Sequence, residues 1–209
     1  MKTTTVLNSA DDQWLSEALR SLEMGHLVAF PTDTVYGLGC DAFNSFAIER
    51  LYQCKGRGTE KAIPILVASL EQVSKVSPSS NDAYAKIGRA FWPGPLTIIM
   101  DKHPSLPAAI SSTNTLGVRI PDHPIALELL GAWGPMAVTS ANRSGERNTM
   151  DAREVLAQLD GRFDLLIDGG RSPGGAPSTV VDCRVRPLEI LREGPITLKQ
   201  LLACLQGDL

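Results

Sequence analysis

Leu27-Val28-Ala29-Phe30-Pro31-Thr32-Asp33-Thr34-Val35-Tyr36-Gly37-Leu38-Gly39 sets the reading of the whole chain. Leu27 to Phe30 is a short unbroken apolar run, the pattern of a buried strand, and Pro31 ends it because proline has no N–H for a ladder. The residues that follow, Thr32 to Tyr36, bring two hydroxyls, a carboxylate and a phenol together in a few positions. A polar, glycine-flanked segment directly after a buried strand is a common place for binding groups. It is equally the composition of a turn whose Thr and Asp side chains satisfy their own backbone. The residues alone leave both readings open.

Moving outward, Asp11 or Asp12 can cap a helix whose apolar positions Trp14, Leu15, Ala18, Leu19 and Leu22 recur at helical spacing until Gly25. Downstream, a helix is expected over about Phe46 to Cys54, a strand over Ile63 to Val67, and a helix from Asn81 carrying Tyr84, Ile87 and Phe91. Pro93, Gly94 and Pro95 stop that helix. Strands follow at Leu96 to Met100 and Leu116 to Ile120, then a helix with Pro124 in its first turn running to Leu130, and a strand at Met136 to Thr139. The last third predicts a helix over Ala152 to Leu159, strands near Leu165 to Ile167, Ser178 to Cys183 and Leu188 to Leu191, and a helix Leu198 to Leu205 opened by Thr197. Helices and strands interleaved in this way predict an α/β or α+β fold with a mixed sheet. With no internal repeat, low-complexity tract or long linker, one domain over 1–209 is expected.

A hydrophobic fraction of 43% with 21% charged residues supports an ordinary buried core. The chain has no apolar run of membrane-spanning length, and MKTTTVLNSADDQW turns polar at once, so a soluble cytoplasmic protein without a membrane partner is expected. Cys40, Cys54, Cys183 and Cys204 lie far apart with no C-x-x-C pair, which predicts buried thiols and neither a zinc site nor a disulfide framework. A net charge of -3 argues against a protein that coats nucleic acid, though not against a local basic site.

The chain contains no GxxxxGK[ST] phosphate loop, no G-x-G-x-x-G, no G-x-S-x-G elbow and no H-E-x-x-H. What remains is a series of polar or glycine- and proline-rich segments after apolar runs. Lys55-Gly56-Arg57-Gly58-Thr59-Glu60-Lys61 puts three cations just past a helix, as an anion clamp or as charges complementing the helix C-terminus. Phe91-Trp92-Pro93-Gly94-Pro95-Leu96-Thr97 reads as a rigid structural corner with buried aromatics. Arg119 stands in an apolar strand pattern and needs an anion, either a ligand or a buried Asp. Thr139-Ser140-Ala141-Asn142-Arg143-Ser144-Gly145 ends a strand in hydroxyls and an amide, a ligand site or a capped turn. Asp168-Gly169-Gly170, Ser178-Thr179-Val180-Val181-Asp182 and Leu191-Arg192-Glu193-Gly194 follow, with Arg192 placed to reach a phosphate.

Taken in order, PTDTVYGLG, KGR, FWPGPLT, TLGVRIPDH, TSANRSG, DGG, STVVD and LREG resemble the motif series of the YrdC/Sua5/YciO family, from about Leu27 to Gly194. The length is similar to that of the short, YrdC-type members. The resemblance implies a YrdC-like domain, a twisted mixed sheet with helices around a concave basic cavity, and synthesis of threonylcarbamoyl-AMP from L-threonine, bicarbonate and ATP with Mg²⁺. It also implies a downstream tRNA threonylcarbamoyl transferase complex acting at adenosine 37, and a tRNA or double-stranded RNA contact. By motif position it puts Thr34, Arg119, Ser140 and Ser178 around threonine and its carbamate. Lys55, Arg57, Lys61, Thr115, Asn142 and Arg192 go around ATP, with Lys55 and Arg57 as the catalytic cations. The chain departs from the family pattern where Gly58 replaces a proline and Leu66 stands where many members carry a histidine. Those departures admit a YciO-like relative with weak or different activity; the alternative from another class is an RNA-binding or ribosome-maturation protein whose basic cavity holds RNA without chemistry.

Overall fold

Residues 27–30 alternate between two cores, and that alternation organises the molecule. Val28 and Phe30 face one apolar cluster while Leu27 and Ala29 face another, the two-residue period of a strand buried on both sides. The computed structural model describes residues 3–79 and 82–206. Among them ten strands form one mixed sheet: β1 (Thr5–Asn8), β2 (Val28–Phe30), β3 (Gly37–Asp41), β4 (Ile65–Leu66), β5 (Leu96–Asp101), β6 (Thr115–Arg119), β7 (Met136–Ser140), β8 (Leu165–Asp168), β9 (Thr179–Asp182) and β10 (Glu189–Arg192). Their spatial order is β1-β8-β2-β3-β7-β4-β6-β5-β9-β10. Parallel pairing joins β1 to β8, β2 to β8, β4 to β6 and β5 to β9; the other neighbours are antiparallel.

The helices are α1 (Trp14–Glu23), α2 (Ser45–Lys55), α3 (Leu70–Val76), α4 (Asp82–Phe91), α5 (Pro124–Trp133), α6 (Ala152–Leu159) and α7 (Leu198–Gln206), with a 3₁₀ turn at Ala108–Ile110. Helices α1 and α5 cover one face through Trp14, Leu22, Leu129 and Leu130, packed on Phe30, Val138 and Ile167. The other face buries Ile48 and Leu51 of α2, Tyr84 and Ile87 of α4, Val155 and Leu159 of α6 and Leu201 of α7. Side chains start several helices. Asn44 accepts from Ala47 N at the head of α2 (3.1 Å), and Asp151 from Glu154 N at the head of α6 (3.0 Å). Thr197 and Gln200 hydrogen-bond reciprocally at the start of α7. Arg50 of α2 donates to Gly25 O (2.9 Å) and to the Asp164 carboxylate (2.9 Å), tying α2 to the start of β8.

The expected mixed α/β sheet is observed, with several differences of detail. Asp11 closes a turn onto Gln13 N (3.0 Å) one step ahead of α1, whose cap position is Gln13. The expected strand at Ile63 to Val67 is paired only over Ile65–Leu66. Three elements have no counterpart in the sequence reading: edge strand β1, central strand β3 and helix α3. Asn81, read as a helix start, lies outside the described residues. All four cysteines are buried, and burial pushes the Cys54 thiol up to about 11 and Cys183 to about 12, as inert thiols should be. Trp92 forms the buried corner expected of it, its Nε1–H donating to Leu96 O (2.7 Å).

Candidate functional site

The polar segment after β2 divides the two readings left open for it. Thr32 is the self-satisfied turn: its hydroxyl donates to Val35 O (2.7 Å) and accepts from Val35 N (3.3 Å). Thr34 turns to the binding side, its hydroxyl oxygen accepting from Arg119 Nη1 (2.9 Å). Tyr36 reaches across to the Asp168–Gly170 segment, its hydroxyl donating to Gly170 O (2.6 Å) and accepting from Gly169 N (3.3 Å); burial pushes its pKa up.

Over the central strands these residues open onto a cavity of about 300 Å³, in the size range of small-ligand sites. Six of the residues expected to bind ligand converge there: Thr34, Arg57, Arg119, Ser140, Ser178 and Arg192. They come from segments spread over 158 positions of sequence, and the sheet order brings them together because β7, β4, β6, β5 and β9 are consecutive neighbours in it. The wall between them is apolar, with Leu66, Ile99, Val138 and Val180. Among the described residues three arginines and no carboxylate line the space, so an anion is the complementary ligand.

Arg119 is 6% exposed, and a buried guanidinium is tolerated only when its donors are met. Nε donates to Gly94 O (3.0 Å), Nη1 to Thr34 Oγ1 (2.9 Å) and Nη2 to Asp33 Oδ1, so both anions foreseen for it are in play: Asp33 is present, and two N–H groups remain for a ligand. Burial lowers the Arg119 pKa and Asp33 works against that shift. Arg192 grips the β9 entry, Nε on Ser178 O (3.0 Å) and Nη2 on Ser178 Oγ (3.0 Å). Its pKa is lowered by burial and then by the nearby charge of Arg57. Gly194 allows that grip: a Cβ there would lie 2.3 Å from Thr179 N and 2.7 Å from Pro177 O, so only glycine lets β10 come this close to the 177–179 backbone.

Helix α2 ends at Lys55, and Gly56 takes the left-handed conformation (φ 61°) that turns the chain toward the cavity. Arg57 then lines the cavity while donating to Lys61 O (3.3 Å) and Ala62 O (3.0 Å). Lys55 is buried behind the wall: Nζ donates to Asn142 O (2.8 Å) and to Ser140 O, with the Ser140 hydroxyl at 3.4 Å. Burial, and secondarily the charge of Arg57, draws its pKa down to about 8. Asn142 folds its own turn, Nδ2 donating to Arg143 O (2.9 Å) and Glu146 O (2.7 Å). Of the remaining expected residues, Lys61 is exposed beside the loop, and Thr115 faces Thr113 across a 2.9 Å hydroxyl contact two residues before cavity-lining Gly117. Lys55, Lys61, Thr115 and Asn142 are therefore not in the cavity wall.

Sequence reasoning missed Thr97 and Asn148, which line the cavity, and Asp33 as the partner of Arg119. Thr97 was foreseeable as the lone polar side chain among the apolar residues of β5 that precede Asp101.

The Sua5/YciO/YrdC family model, described as telomere recombination, matches residues 20–194. The chain is similar to the threonylcarbamoyl-AMP synthase of Bacillus subtilis, 36% identical over 198 residues that cover 93% of this chain and 57% of that protein. It is similar in structure to Pyrococcus abyssi Sua5 complexed with L-threonine (34% identity, TM-score 0.91), over 96% of this chain and 60% of the other. A third likeness is to Escherichia coli YciO, with 27% identity and a TM-score of 0.84 over 96% of this chain and 100% of that one. The chain thus spans about three-fifths of the length of the Bacillus and Pyrococcus relatives.

Proposed function

The chain belongs to the Sua5/YciO/YrdC family, and from that membership we propose that it is an L-threonylcarbamoyladenylate synthase. The amino group of threonine takes up bicarbonate with loss of water, giving a carbamate. A carbamate oxygen then attacks the α-phosphorus of ATP; the P–O bond to the β-phosphate breaks, and threonylcarbamoyl-AMP and pyrophosphate are formed. The product is a mixed anhydride fit for transfer to the N6 amino group of a tRNA adenosine by a partner transferase.

The observation that carries this reading is the convergence of Arg57, Arg119, Arg192, Thr34, Ser140 and Ser178 on one small cavity. The chemistry requires no covalent nucleophile, only two anionic reactants held in line and charge stabilised on the departing group. Arg119 with Thr34, Ser140 and Ser178 suits a carboxylate and a carbamate, since a planar guanidinium and hydroxyl donors match flat anionic groups. Arg57, whose charge lowers the proton affinity of Arg192, and Arg192 itself gain from a polyphosphate between them. Lys55 acts through the turn it holds, fixing Ser140 and Asn142. Among the described residues no cluster of three or more His, Cys, Asp or Glu could hold a metal ion, so Mg²⁺ is assigned to the nucleotide, as part of the substrate MgATP. No described helix is long and apolar enough to cross a membrane.

The test is pyrophosphate release from MgATP with L-threonine and bicarbonate each supplied or withheld. Release that needs both establishes the synthase. ATP binding without release under any combination moves the assignment to a YciO-like activity, and steeply salt-dependent tRNA binding without threonine dependence to an RNA-binding role.

A further inference from the structure

Ser178 stands at the cavity with its hydroxyl held from two sides. Arg192 Nη2, which can only donate, takes one lone pair of Ser178 Oγ (3.0 Å). On the other side Thr97 Oγ1 lies 2.8 Å from Ser178 Oγ, and both side chains are buried in the cavity wall. The two hydroxyls own two protons and share one between them. Among the described residues neither oxygen has another acceptor; with Thr97 donating to Ser178, both Ser178 lone pairs are filled and its own O–H is left free at the cavity. The guanidinium on Ser178 polarises that O–H and makes it a better donor, which favours an anionic oxygen as its partner.

We propose that Thr97 is a positioning residue for the acyl substrate: with Arg192 it fixes the Ser178 hydroxyl as a donor to a carboxylate or carbamate oxygen of threonine. This rests on the synthase reading given above. Without the Thr97 hydroxyl the Ser178 rotor is unpinned, and one of its lone pairs stays buried and unmet.

The experiment compares wild type, Thr97→Val and Thr97→Ser by threonine-binding calorimetry and by pyrophosphate release. Valine keeps the shape and removes the hydroxyl; serine keeps the hydroxyl. Loss of one hydrogen bond between two buried hydroxyls predicts that Thr97→Val weakens threonine binding and raises its KM by about three- to tenfold. The KM for ATP should stay within about twofold, and Thr97→Ser should restore most of the loss. Thermal unfolding shows whether the valine chain is folded. If folded Thr97→Val binds threonine as wild type does, or if serine fails to rescue it, Thr97 has no positioning role even though the synthase reading stands. A wild-type chain that neither binds threonine nor releases pyrophosphate overturns both.

Discussion

Replacing Gly194 by alanine tests whether the close approach of β10 to the 177–179 segment is what aims Arg192. The added methyl would stand 2.3 Å from Thr179 N and 2.7 Å from Pro177 O and the Ser178 carbonyl carbon, all backbone atoms that cannot swing aside. Restoring an ordinary 3.4 Å contact requires the end of β10 to retreat by about 1 Å. Both Arg192 hydrogen bonds to Ser178, each 3.0 Å, then stretch to about 4 Å and are lost. Overpacking of this kind costs about 1–3 kcal/mol, read as a lower midpoint in urea followed by circular dichroism. A displacement of about 1 Å at a reacting site can lower the rate by about a hundredfold, so a fall in kcat/KM of about ten- to hundredfold is expected in the pyrophosphate assay. Arg192→Ala should lose similar activity with little change in stability, because it removes the contact without the clash. Wild-type kcat/KM in folded Gly194→Ala would refute the reasoning.

Other outcomes follow from the same geometry. Lys55→Met should lower turnover more than tenfold, by about 1.4 kcal/mol or more of lost transition-state stabilisation, through a loosened Ser140–Asn142 turn. Lys55 also predicts a pH effect: with a folded pKa of about 8 against 10.5 unfolded, the unfolded chain holds the extra proton between those values. Stability therefore gains from this group as pH rises through that window, by about 3 kcal/mol in all, and the wild-type minus Lys55→Met difference across pH 8 to 10.5 reads it. A flat difference would mean that the ammonium keeps its proton. Arg57→Ala should lose more than tenfold in rate while its unfolding midpoint in urea stays close to wild type, since its own partners are two carbonyls of a surface loop. Arg50→Ala should do the reverse, destabilising by about 1–3 kcal/mol through the Gly25 and Asp164 contacts while the KM values stay unchanged.

The interleaved pattern was legible wherever an element buries one continuous apolar stripe. Trp14, Ala18 and Leu22 mark α1 as plainly as the run from Leu27 marks β2. Strand β3 escaped because Gly37 and Gly39 are poor strand formers in isolation; their place against Val138 is decided by sheet packing, which the local sequence does not encode. Strand β1 escaped for the opposite reason: at the sheet edge its side chains are largely exposed, so no alternation appears. The site was legible as motif residues but not as a division of labour. Lys55 and Arg57 are two positions apart, and only the left-handed turn at Gly56 sends one behind the wall and the other into the cavity. Nor could composition show that Asp33 would occupy Arg119, since that contact spans 86 positions of sequence.

Strand order carries one more consequence. The cavity lies between segments that meet only after β5 has found β9 and the end of β10 has closed on Ser178, pairings that bridge roughly 80 and 14 positions, while the sheet's other edge must join residues 5–8 to 165–168. Contacts of such long sequence separation form late, because loop closure must precede any reward from pairing. Arg57, Arg119 and Arg192 come from three separate segments and share one cavity only when those pairings are made. On the synthase reading, a chain whose sheet is incomplete lacks the three-arginine site, and ATP-dependent pyrophosphate release is expected only once β5, β9 and β10 are joined.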